Sequence, residues 1–131
     1  MIVDSSALIA IVRHEPEADT FTEAIGEAAS PSISVATFLE TAIVLDSRRD
    51  PITSGELDRF CKKANMQFIP VDETQARIAR QAYRDFGKGS GHPARLNFGD
   101  CFAYALAKAM DEPLLYKGAD FSQTDVRSAV D

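Results

Sequence analysis

The sequence predicts an α/β sandwich, with helices packed on both faces of a mainly parallel central sheet. Three observations carry that expectation. Short apolar runs at Ile2-Val3, Phe68-Ile69 and Leu114-Leu115-Tyr116 alternate with longer stretches of helical periodicity, the pattern of a parallel sheet with crossover helices. The chain has no internal repeat and no low-complexity tract. Its 131 residues give room for one domain spanning 1–131 and no second independent core. A chain of this length buries roughly two-thirds of the surface its unfolded form exposes, so it folds without a partner.

Taken in order, Met1 to Asp4 reads as a short strand ended by an acid. Ser5 or Ser6 caps a helix through Leu8, Ile9, Ile11 and Val12, and Pro16 marks its end. A second helix covers about 17–29, and Ser30-Pro31-Ser32 breaks it before a brief strand at 32–34. Ser34 then caps an apolar helix running to about Leu45. Asp50-Pro51 closes that segment, and Thr53 or Ser54 opens a helix to about Ala64. Phe68-Ile69-Pro70-Val71 reads as a strand, with the proline near its end. Asp72 or Thr74 starts a helix through Ile78, Ala79, Ala82 and Tyr83. The segment 87–93 holds three glycines and reads as a mobile loop. Asn97 caps a helix from Phe98 to about Met110, Pro113 to Tyr116 forms a buried strand, and a last short strand falls near Val126–Val130.

Hydrophobic residues make up 45% of the chain and charged residues 26%, ordinary values for a globular protein. No apolar run approaches the ~20 residues of a membrane span. The first residues carry no basic region of a signal peptide. Cys61 and Cys101 lack the spacing of zinc ligands and read as reduced core thiols, so the expected location is cytoplasmic. His14 and His92 read as surface residues. The formal net charge of −6 argues at first against nucleic acid as a partner. It argues less if several carboxylates gather in one site and a metal neutralises them. The charge is also uneven. Arg77, Arg80, Arg84, Lys88 and Arg95 face a single acid, Asp85, within 77–95, a local net charge of +4.

Four acids stand in unusual places. In an open parallel sheet, ligands bind beyond the carboxyl ends of the strands. Asp4 ends the first strand, and Asp120 follows the 114–116 strand through Lys117-Gly118-Ala119. Taken singly, each has a plain alternative as a turn or helix-start residue. Glu40 lies in a helix that is apolar nearly all round, with Ala36, Ile43 and Val44 as its helical neighbours. Burying an ionised Glu there without a partner is expensive. Asp100 lies in a helix apolar on every other side until Lys108, although Asn97 and Asp100 also have the spacing of a capping box. At ~4 Å and an effective dielectric near 20, two carboxylates repel by about 4 kcal/mol. A cluster of them therefore calls for protons or a cation. Oxygen ligands without clustered His or Cys select Mg²⁺ or Mn²⁺, an ion suited to phosphodiester hydrolysis.

Four segments carry a resemblance: 2–8 (Ile-Val-Asp-Ser-Ser-Ala-Leu), the lone helical Glu40, 96–107 (from Leu-Asn-Phe-Gly-Asp-Cys onward), and 114–125 (Leu-Leu-Tyr-Lys-Gly-Ala-Asp-Phe-Ser-Gln-Thr-Asp). In order and over the whole chain they resemble the PIN domains of VapC-type toxins. The resemblance implies a PIN-like three-layer α/β/α sandwich. It also implies an Mg²⁺- or Mn²⁺-dependent endoribonuclease, the toxin of a toxin–antitoxin pair, dimeric and blocked by a small antitoxin whose tail covers the site. Carried over, Asp4, Glu40, Asp100 and Asp120 form the acidic quartet, and Ser6 is the hydroxyl residue supporting the first Asp. Ala119 stands where many relatives carry a polar residue, a departure that bears on metal or substrate tuning.

Metal-assisted hydrolysis is the mechanism this implies. Asp4 and Asp100 serve as direct or water-mediated ligands, and Glu40 and Asp120 complete the pocket around one ion or two. Either Glu40 or Asp120 orients the attacking water, and sequence assigns no general base. Arg13 and the basic residues of 77–95 are candidates for steering RNA phosphates, against the plainer reading of a solvated face. Two rival classes differ in what they need. A receiver-type or haloacid-phosphatase-type domain wants a second Asp where this chain has Ser6, or an acid pair before the first helix. A non-catalytic PIN-fold interaction module has no use for four placed acids.

Overall fold

The computed structural model describes residues 1–131. The strands are β1 (Ile2–Val3), β2 (Ser32–Ser34), β3 (Gln67–Ile69) and β4 (Leu114–Leu115). The helices are α1 (Ser5–Val12), α2 (Ala18–Glu27), α3 (Val35–Asp46), α4 (Pro51–Lys63), α5 (Glu73–Phe86) and α6 (Phe98–Met110), with a 3₁₀ turn at Phe121–Gln123. All four strands are parallel, in the order β3-β2-β1-β4. The chain thus builds outward from β1 in one direction, then returns to add β4 on its other side. That reversal of strand order, between β1 and β4, is where open α/β sheets leave a crevice at their carboxyl ends.

Strands β1, β2 and β4 are short and buried throughout, with successive side chains alternating between two cores, whereas β3 is an edge strand whose Gln67 and Phe68 are exposed. Val3, Ile33 and Leu115 point into one cluster with α1, α2 and residues of α3 and α4. Ile2 and Leu114 point into the other, with residues of α5 and α6. Each fully buried Ile, Leu or Val contributes about 1.5–3 kcal/mol, so a two-residue strand is held by packing rather than by ladder length.

Several boundaries differ from the sequence reading, each for a physical reason. The cap of α1 is Asp4 itself, whose side chain accepts from the Ser6 amide, rather than Ser5 or Ser6. Asp50-Pro51 opens a helix instead of closing one. Asp50 accepts from the Ile52 amide, and Pro51 occupies the first helical position, where its missing N–H is not needed. β3 sits one residue earlier than expected, and Pro70, which has no amide hydrogen, lies just beyond it. Where a last strand was expected, the tail pairs beside β4 through Leu114 alone, with Leu114 donating to Arg127 and Ala129 donating to Leu114. The glycine-containing segment expected to be mobile is pinned at both ends. Lys88 donates to Leu96, Leu96 donates to Phe86, and the Tyr83 hydroxyl donates to the Lys88 carbonyl at 3.0 Å. His92 is half-buried there, with its ring edge-on to Phe86 and its Nδ1 accepting from Ala94, so it is not a free surface group. His14 is exposed, 3.7 Å from Glu56. Both cysteines are free and buried, and burial pushes each thiol up to about 11.

The apolar surround of Glu40 also needs revision. Val35, Leu39 and Ile43, successive turns of α3, lie outward, with Leu39 58% and Ile43 59% exposed. Apolar residues all round this helix reflect one stripe in the core and a second at the surface.

Candidate metal and catalytic site

Asp4 leaves the carboxyl end of β1 and is 2% exposed. Its backbone amide donates to the Leu115 carbonyl of β4, which fixes it at the switch point. One carboxylate oxygen, Oδ2, accepts from the Ser6 amide at 3.0 Å and from the Ser6 hydroxyl at 2.6 Å. The other, Oδ1, is enclosed and has no hydrogen-bond partner. Ser6 in turn accepts from the Lys117 amide at 2.9 Å, so the chain after β4 is tied through Ser6 to the Asp4 carboxylate. Burial raises the Asp4 pKa, the Ser6 hydrogen bonds pull it back, and the charge of Glu40 raises it further.

Asp100 divides its oxygens in a similar way. The capping box is present: the Asp100 amide donates to Asn97 Oδ1 at 2.9 Å, and the Asn97 amide donates to Asp100 Oδ2 at 3.0 Å. The capping role and a role in the site are therefore compatible, because the box engages only one oxygen. Burial pushes the Asp100 carboxyl up to about 6, against the pull of the Asn97 amide, with the charges of Asp4, Asp120 and Glu40 adding to the rise. All three other acids are thus close enough to Asp100 to oppose its ionisation.

Glu40 reaches the group from α3. A Cβ placed on Gly99 would lie 2.6 Å from the Glu40 Cδ and 2.9 Å from its Oε1, and would overlap Oε2. Only glycine at the second position of α6 leaves space for this carboxylate against the helix start. Asp120 enters from the loop after β4, at the head of the 3₁₀ turn, exposed and with no capping hydrogen bond. The turn is anchored by buried Phe121, packed on Tyr116. Beyond it, the Tyr104 hydroxyl and Lys108 of α6 donate to Asp125 at 2.6 and 3.0 Å.

The donor set fits a hard divalent cation. It consists of carboxylate oxygens, includes the enclosed and unpaired Asp4 Oδ1, and is cradled by a glycine that a larger residue would fill. The acids do not close by themselves into a cage of three ligands. Mg²⁺ does not need one, since it keeps several waters and takes one or two direct carboxylates.

The basic residues separate into groups. Arg80, Arg84 and Lys88 line a groove between α5 and α6 that reaches Asn97 and Phe98. Arg77 pairs with Glu73 at 3.1 Å, and Arg95 is exposed in the loop before α6. Arg13 caps the far end of α1, about 13.5 Å along the helix from Asp4. Gly99 and the Lys117 amide were not anticipated as parts of the site. A glycine in the first turn of so apolar a helix was a legible signal, whereas a backbone N–H leaves none.

A PIN-domain family model matches residues 1–127. The chain belongs to the PIN-domain family. Within it, the chain is 54% identical over 131 residues to Ribonuclease VapC28 of Mycobacterium tuberculosis, covering all of this chain and 98% of that one. It is 46% identical over 129 residues to Ribonuclease VapC42 of the same species, covering 98% of each chain. It is 47% identical over 126 residues to Ribonuclease VapC of Mycolicibacterium smegmatis, covering 96% of this chain and 97% of the other. Among solved structures, M. tuberculosis VapC20, a sarcin–ricin loop cleaving toxin, superposes with TM-score 0.75 at 16% identity, covering 99% and 98% of the two chains. A chain from a Klebsiella pneumoniae toxin–antitoxin complex gives 0.69 at 17% identity, covering 92% and 89%. These two share the PIN fold. The VapC-type resemblance read from the four acidic segments is therefore correct, and so is the α/β architecture it implied.

Proposed function

We propose that this PIN domain, spanning residues 1–131, is an Mg²⁺- or Mn²⁺-dependent endoribonuclease, the toxin of a VapBC-type pair. The observation that carries the reading is the Asp4 carboxylate, buried at the switch point with Oδ1 unpaired, together with the charges of Asp4, Glu40 and Asp120 that reach Asp100 and oppose its ionisation. An interaction module has no need to bury a carboxylate oxygen without a partner, a cost of several kcal/mol for a charged group. Asp4 and Asp100 would hold the cation, each having one carboxylate oxygen that its local hydrogen bonds leave free. Glu40 and Asp120 would complete the negative pocket, and one or the other would orient the attacking water. A bound divalent ion supplies positive charge against a phosphate and lowers the pKa of water. Ser6 keeps Asp4 oriented through Oδ2 and couples it to the loop that carries Asp120. Hydrolysis forms one bond from water oxygen to phosphorus and breaks one bond from phosphorus to the leaving ribose oxygen.

The relatives named as VapC ribonucleases support RNA as the substrate, and the Klebsiella toxin–antitoxin complex supports a small antitoxin of the VapB type as partner. The outward stripe of Val35, Leu39 and Ile43 supports a homodimer. No helix is long and apolar enough to cross a membrane. RNA as substrate supports a cytoplasmic location. The test is cleavage of RNA by purified protein with Mg²⁺ or Mn²⁺, with EDTA, and with Asp4→Asn as control. Cutting that needs the metal and Asp4 is expected. Undiminished cutting in thoroughly chelated buffer would overturn the proposal.

A further inference from the structure

The groove between α5 and α6 is a cavity of about 730 Å³ that opens beside the start of α6. Its lining includes Ala76 and Ala79 from α5 and Cys101 and Phe102 from α6. Three cations, Arg80, Arg84 and Lys88, stand along it, and none of its ten lining residues is acidic. That is notable on a chain with 20 acids and 14 lysines and arginines. Phe98, the first residue of α6 and the neighbour of Gly99, lines the groove and is 78% exposed. Its ring meets Phe102 edge-on at 4.9 Å, so the ring is braced from one side and open on the other. Tyr83 forms part of the opposite wall, its hydroxyl held by the Lys88 carbonyl.

We propose that this groove seats one unpaired nucleotide of the RNA next to the scissile phosphate, with its base stacked on Phe98 and its phosphates held by Arg80, Arg84 and Lys88. The inference rests on the nuclease reading above and adds to it a nucleotide-binding groove and a stacking residue, Phe98. Two properties of the groove favour this occupant. Aromatic faces flanked by cations are how proteins hold single strands, since every base has a π-face and every linkage a charge. A base can reach such a face only when it is unpaired. Position is the third argument. Asn97 and Phe98 are both groove wall and the first turn of the helix that carries Asp100, so a strand lying across that turn places neighbouring phosphates in the groove and at the carboxylates. The cavity is also within the ~300–1,000 Å³ of small-ligand sites.

The test uses the full chain carrying Asp100→Asn, so that RNA is bound without being cut. The probe is a single-stranded RNA of about ten nucleotides, within the usual ~4–16 of single-strand sites, carrying one 2-aminopurine. Stacking quenches that fluorophore, so quenching and affinity are read together. Adding Phe98→Ala should weaken binding by about fivefold to a hundredfold and remove the quench. Phe98→Tyr should retain both, and Phe98→Leu, which keeps apolar area without a π-face, should retain neither. The same sequence paired in a duplex should bind more weakly. Unchanged affinity and quench in Phe98→Ala would overturn the proposal. So would full recovery with Leu, which would assign Phe98 to a second copy or another protein partner. Cleavage by the wild-type chain in Mg²⁺, measured alongside, separates the two readings. A chain that binds and quenches without cutting contradicts the nuclease alone, while one that cuts normally as Phe98→Ala contradicts the groove alone.

Discussion

Replacing Gly99 by Ala should uncouple stability from activity in a way only a functional Glu40 explains. A Cβ at this position would stand 2.6 Å from Glu40 Cδ and 2.9 Å from Oε1. Those atoms are the tip of a flexible side chain, so the clash is relieved by swinging Glu40 outward rather than by parting α3 from α6. The fold then loses little. Alanine favours a helix over glycine by up to about 1 kcal/mol, and moving one acid away from Asp100 removes repulsion. Free energy of unfolding should hold or rise by up to about 1 kcal/mol, a rise in Tm of about 2–6 °C for a domain of this size. Cleavage should fall roughly tenfold to a hundredfold, as expected when a site group is displaced by about an ångström. Thermal melts of the metal-free protein and initial rates on an RNA oligonucleotide measure the two effects. A control on Glu40→Gln sharpens the test, because Gly99→Ala should then cost little further activity. Full activity in Gly99→Ala would refute the placement of Glu40 in the site, and a clear drop in Tm would show that the helices had moved instead.

The remaining predictions concern charge. In metal-free protein, Asp100 has its carboxyl raised to about 6 from an ordinary 3.8, so the native state holds more protons than the unfolded chain between those values. The contribution of Asp100 to stability should therefore grow as pH falls through about 6 and level off near 4, by about 1–2 kcal/mol once solvent screening of this half-buried group is allowed for, and denaturant melts across that range should show it. Asp100→Asn should flatten this dependence and abolish cleavage, while Asp4→Asn should abolish cleavage with a metal-free Tm level or higher. A lower Tm in both variants would favour a purely structural role. Arg80→Ala with Arg84→Ala should weaken binding to RNA of any sequence and flatten the log–log salt slope by about one to two, with metal affinity unchanged. An unchanged slope would mean that RNA enters elsewhere.

Much of this site was legible because its residues conflict with their surroundings. An acid in an apolar helix, as at Glu40 and Asp100, or at a strand end, as at Asp4, is a local inconsistency that needs a reason, and functional sites supply one. The layered fold followed similarly from short apolar runs alternating with helical stretches, although the run at Phe68-Ile69 proved to be a partly exposed edge strand. What sequence could not carry was placement in space. Asp50-Pro51 has the same composition whether it ends a helix or begins one, and α3 shows apolar residues on two faces without saying which is covered. Arg77, Arg80 and Arg84 share a helical spacing, yet only the latter two line the groove, and Arg77 pairs with Glu73 in solvent instead. The Lys117 amide that holds Ser6 has no side-chain signature at all.

Calorimetric titration of Mn²⁺ into the metal-free protein tests the central claim most directly, since it asks whether the acids form a cation site independently of any RNA. Saturable binding is predicted for the wild-type chain, strongly weakened by Asp4→Asn and by Asp100→Asn, and unaffected by Arg80→Ala with Arg84→Ala. No binding up to millimolar Mn²⁺, or binding that survives loss of both Asp4 and Asp100, would contradict it.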